Sequence, residues 1–104
     1  MSSITLTQEE IQAVIKVIET AMEYKDEETV KGMDAMIALL NQGLHQQDDV
    51  VEFQLDDDFR KYAVETIFTC LYEGAYSSAS SPLLKSVDDK VNDADGMERG
   101  KISY

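Results

Sequence analysis

Few residues in this chain could do chemistry, and their spacing does not favour it. His45 is the only histidine and Cys70 the only cysteine in 104 residues. A transition-metal site draws on several imidazole or thiolate ligands and has no such set to build from here. A Ser-His-Asp arrangement can be drawn from His45, any of several serines and any aspartate, but a triad is recognised by geometry and nothing in the spacing supports one. Cys70 falls on an apolar helical face, where burial raises a thiol's pKa and leaves it inert. His45 stands where a helix should end, the ordinary place for a donor near the last carbonyls. Asp48, Asp49, Glu52 and Asp56 to Asp58 could hold a hard cation loosely, although such runs are usually solvated. The expectation is a non-enzyme with no metal and no cofactor.

Charge is distributed unevenly. The first 59 residues hold 14 acidic side chains against Lys16, Lys25 and Lys31, a net −11, whereas the remaining 45 hold seven acids and six bases, a net −1. Net charge informs association and solubility more than fold. Eight of the 14 (Glu9, Glu10, Asp26 to Glu28, Asp56 to Asp58) fall at or near expected helix starts, where a carboxylate gains about 0.3–1 kcal/mol from unpaired amides and the helix dipole. Glu19, Glu23, Asp34, Asp48, Asp49 and Glu52 have no such local reason. These six are the candidate contacts for a basic protein partner. Tyr62, Tyr72 and Tyr76 are the candidate aromatic anchors beside them, since tyrosine is favoured in interface centres. Met33 and Met36 are read as core. A net charge of −12 with no basic stripe disfavours direct nucleic-acid binding.

One C-terminal pattern resembles part of an EF-hand calcium loop: Asp93-Ala94-Asp95-Gly96 followed by Gly100-Lys101-Ile102-Ser103-Tyr104. An EF-hand wants oxygen ligands at loop positions 1, 3 and 5, a glycine at 6 and a closing glutamate at 12. Only Asp93 and Asp95 would transfer as ligands. Met97-Glu98-Arg99 intrudes, and the sequence ends at Tyr104 with neither the glutamate nor an exiting helix.

The elements that must carry these residues are helical. Thr7-Gln8-Glu9-Glu10 is a capping box, with Leu6 and Ile11 at staple positions. Ile11, Val14, Ile15, Ile18, Ala21 and Met22 then mark one apolar stripe over a helix at 8–24, with Gln12, Lys16, Glu19 and Glu23 on the far side. Asp26 is the N-cap of a second helix whose stripe is Val30, Met33, Met36, Ile37, Leu40 and Leu44, ending near Gly43. The short break makes residues 8–44 a helical hairpin. Val51, Phe53 and Leu55 alternate with polar residues, giving a short extended or β segment at 50–55. It is read as a connector tucked against the helices, with Ser3 to Leu6 or Lys101 to Tyr104 the segments that could pair with it as a strand.

A third, central helix is expected at about 57–74, carrying Phe59, Ala63, Val64, Ile67, Phe68, Cys70 and Leu71 on its apolar arc. Arg60 should lay its stem on the core and extend its guanidinium to solvent. After the Ser77 to Ser81 run, Ser81-Pro82 starts a short helix at about 82–92 with Leu83, Leu84, Val87 and Val91. The fold class is therefore all-α, a small four-helix bundle: residues 1–92 form one helical domain and 93–104 a polar C-terminal tail. No apolar run is long enough for a membrane span. No basic or apolar leader is visible, and a lone cysteine suits a reducing compartment, so a cytoplasmic location is expected.

Two functional classes follow. One is a small acidic interaction protein that blocks or escorts a basic partner; in composition the chain resembles nuclease-immunity proteins, antitoxins and phage-encoded DNA-mimic inhibitors, which are short, acidic and helical, and this fits a phage or bacterial accessory protein. The alternative is a structural homo-oligomer, such as a homodimer, whose acidity only opposes aggregation. Calcium binding at the C-terminal segment is a lesser alternative.

Overall fold

The computed structural model describes residues 3–46, 48–76 and 81–99. The chain is mostly helical with one short two-stranded antiparallel sheet. Strand β1 (Ser3–Thr7) leads without a break into α1 (Gln8–Met22); α2 (Glu27–Leu44) returns, and β2 (Val50–Gln54) follows. Helix α3 covers residues 57–73: α-helical Asp57–Phe59, a π-helical segment Arg60–Val64, and α-helical Glu65–Glu73. Helix α4 (Ser81–Arg99) completes the fold.

The capping box at Thr7 forms as its chemistry demands. The Glu10 amide donates to Thr7 Oγ1 at 3.2 Å and the Thr7 amide donates to Glu10 Oε1 at 2.9 Å. Downstream, Asp56 caps α3 by accepting from the Phe59 amide at 2.8 Å. At the far end Gly74, with φ 73°, takes the left-handed position that only glycine adopts without cost. Its amide closes on the Thr69 carbonyl.

Several expectations are corrected. The 50–55 stretch is no connector: β2 pairs with β1 in the register Ile4↔Phe53 and Leu6↔Val51, so all four side chains turn to the core while Thr5 and Glu52 face out. The fold is mostly helical, and the short β segment allowed at 50–55 is one strand of a two-stranded sheet. Residues 101–104, the other candidate strand partner, lie outside the described residues, as do 77–80 of the serine run. Helix α4 runs to Arg99, well past 92, so 93–99 are helix where a tail was expected; 100–104 lie outside the described residues.

Helix α1, and not α3, is central, packing against α2, α3, α4 and β1. Ala13 and Val17, outside the expected stripe, are buried along with it, so α1 is covered on more than one side. On α3, Phe68 is 52% exposed, although the apolar arc had included it. Thr66 is buried instead, its hydroxyl donating to the Tyr62 carbonyl at 2.9 Å and so meeting its polar requirement locally. The wide turn itself is shown by the Glu65 amide, which donates five residues back to the Arg60 carbonyl. The core is one cluster, with Phe59, Leu6, Ile11, Ile18 and Leu40 among its fully buried side chains.

Candidate functional site

Glu19, Glu23, Asp34, Asp48, Asp49 and Glu52 are all exposed. Ion pairs among the described residues are Arg60–Asp95, Lys85–Asp88, Lys85–Asp89 and Lys90–Glu10, and none involves these six. Their charge is left to solvent. Among the described residues Glu52 accepts from Ser3 Oγ, at 3.1 Å.

The six are not one cluster. Gln8 Nε2, at the start of α1, donates to the carbonyls of Gly43 and Asp48 at 3.3 and 3.1 Å, which ties Asp48, Asp49 and the ribbon to that end of the molecule. Glu19 and Glu23 lie 11 and 15 positions further along, about 16–22 Å away at 1.5 Å per residue. Asp34 lies partway along α2. The structure thus has an acidic ribbon end and an acidic turn end.

The tyrosines also separate. Tyr72 is 53% exposed, 4.8 Å ring to ring from Phe68, and its hydroxyl donates to Asp88 at 2.8 Å. Lys85 donates to the Tyr72 oxygen at 3.3 Å and to Asp89 at 2.9 Å. Those two partners, Asp89 foremost, hold the Lys85 ammonium above the ordinary lysine range. Tyr62 and Tyr76, both half-buried, instead share a cleft of about 370 Å³ with Lys25, Asp26, Lys61 and Glu65, a lining of mixed sign.

Sequence reasoning missed a second cleft of about 260 Å³, between α2 and the start of α3. Gly32, Ala35, Met36 and Leu39 of α2 give it an apolar side, Asp56 and Asp58 an acidic one, and Tyr62 stands between it and the larger cleft. The Tyr62 ring lies over Gly32 so closely that an added Cβ would fall 2.1 Å from its Cζ. Glycine at 32 admits the ring. The available signal was Gly32 inside an otherwise well-formed amphipathic helix, which often marks a close approach.

The remaining chemical candidates have structural partners. Burial pushes the Cys70 thiol up, and it donates to the Tyr76 carbonyl at 3.4 Å. His45 is the exposed C-cap of α2. Arg60 does not extend to solvent as expected: it forks onto both Asp95 oxygens at 3.0 and 2.6 Å, and its Nε donates to the Leu55 carbonyl at 3.3 Å. Asp93 and Asp95 lie within α4 and not in a loop, which removes the geometry an EF-hand needs. No three His, Cys, Asp or Glu side chains converge as a metal site among the described residues.

Glu10, expected as the capping-box acid at the start of α1, has a second role that the sequence did not show. It is 2% exposed and receives the Lys90 ammonium at 2.6 Å, while Lys90 also donates to the Thr5 carbonyl at 2.8 Å. Burial alone would push the Glu10 carboxyl up, but Lys90 and the Thr7 amide outweigh it and hold it below the ordinary value of 4.5. No helix among the described residues is long and apolar enough to cross a membrane. Comparison with known proteins returns no matching family model, no matching curated protein and no matching solved structure.

Proposed function

We propose that this chain is a small non-enzymatic interaction protein that binds a basic protein partner through its surface carboxylates, as an inhibitor, immunity, antitoxin or DNA-mimic module would. One observation carries the reading: the six carboxylates that no helix start explains are all exposed, and none forms an ion pair among the described residues. In this reading the four helices and the ribbon act as a small bundle, a rigid carrier for two acidic ends. A net −11 over the first 59 residues steers a cationic surface into contact, and aromatic or apolar groups between the ends then slow its departure.

The immobilised chain should retain a basic protein from the cell that makes it, and rising salt should release that protein. Glu19→Lys with Glu23→Lys should weaken retention while leaving the unfolding transition unchanged. Retention indifferent both to salt and to these reversals overturns the reading.

A structural homo-oligomer is the second reading, favoured by the Phe68 and Tyr72 rings, each more than half exposed on the near-neutral part of the chain. It predicts a dimer whose mass in sedimentation is unmoved by salt and falls to a monomer with Phe68→Ser.

A further inference from the structure

We infer that the cleft between α2 and the start of α3 is a socket for a single arginine side chain of the partner. The inference rests on the basic-partner reading above and names where that partner is anchored.

The cleft combines three kinds of surface that few ligands need together. Leu39, left 42% exposed, supplies most of an apolar side, with the edge of the buried Met36 beneath it. Asp56 and Asp58 supply carboxylates, the first held in place because its Oδ1 also accepts from the Phe59 amide. Tyr62 supplies an aromatic wall. An anion would be repelled by the aspartates, and a purely apolar side chain would strip water from them without replacing its hydrogen bonds.

An arginine satisfies all three. Its methylene stem covers Leu39 over the edge of Met36, its fork of N–H groups meets carboxylate geometry, and its plane stacks on a tyrosine face. The larger cleft on the other side of Tyr62 is unsuited, because it already holds Lys61, whose ammonium lies 5.3 Å from the Tyr62 ring centroid, together with Lys25. The smaller cleft has no cation in its lining among the described residues. Asp58 forms no ion pair among the described residues.

The test is an NMR titration of the full chain, labelled at methionine and leucine methyls and tyrosine rings, with the peptide acetyl-Gly-Arg-Gly-amide and its lysine and citrulline counterparts. The arginine peptide should shift Met36, Leu39 and Tyr62 saturably, the lysine peptide more weakly and the neutral citrulline peptide least. Asp58→Asn should weaken the arginine peptide about two- to fivefold, the scale of one partly solvated charge pair. Equal shifts from arginine and citrulline, or no saturable shift at these three residues, overturn the socket. Salt-sensitive retention of a basic protein that is lost on reversing Glu19 and Glu23 but unchanged by Asp58→Asn overturns the socket alone. Failure of salt-sensitive retention removes the reading beneath it.

Discussion

Glu10 shows how one carboxylate can serve two levels of structure. Its Oε1 accepts from the Thr7 amide within the capping box and from the Lys90 ammonium across the fold, so local helix initiation and the docking of α4 share an atom. The charged form is held below the ordinary value of 4.5, so the folded state binds this proton less readily than the unfolded chain. Its contribution to stability is therefore complete above the unfolded value and is lost as pH falls through the folded one. Glu10→Gln should lower stability at pH 7 by about 1–3 kcal/mol, because the buried carboxylate that accepts from both the Thr7 amide and the partly exposed Lys90 ammonium is replaced by a neutral amide. Denaturant melts from neutral to acidic pH should show the gap between the native chain and the variant closing as the carboxyl protonates. A gap that widens in acid would contradict the assignment.

At the scale of elements, the last turns of α4 carry a cross-helix contact to α3. Within them Ala94 packs a small apolar side chain against the core. The Arg60 fork on Asp95 supplies a further anchor, linking the π-helical segment of α3 to α4. Both partners are partly solvated, with side chains 36% and 22% exposed, so the pair is worth less than a buried one. Asp95→Ala should reduce global stability by no more than about 1 kcal/mol. Hydrogen exchange should nevertheless accelerate selectively at the amides of 93–98, with the α1 amides unchanged. Uniform acceleration throughout the chain would mean that the contact supports the whole fold and not its end.

For the whole molecule, a net charge of −12 opposes its own compactness, and the six carboxylates of the ribbon end, the turn end and α2 form no ion pair among the described residues. Raising NaCl from about 10 mM to about 300 mM shortens the screening length severalfold, so the melting temperature should rise. A fall would show that the ion pairs of Glu10 and Asp95 outweigh the repulsion. The parts of this fold legible from sequence are those decided within a turn or two of chain. The Thr7 capping box, the stripes of α1 and α2 and the Asp56 start of α3 follow from side chains three or four positions apart, and uneven charge needs only counting. Tertiary structure alone decided what meets across long separations. Ile4 and Phe53 pair as strands, Glu10 finds Lys90 at a separation of 80 residues, and Tyr62 crosses Gly32 to divide two clefts. The physical reason is that periodicity shows a residue has an inward or outward face, but the partner of that face is chosen by the packing of every other element at once. Ala13 and Val17 became core, and Phe68 surface, only when α1 took the centre.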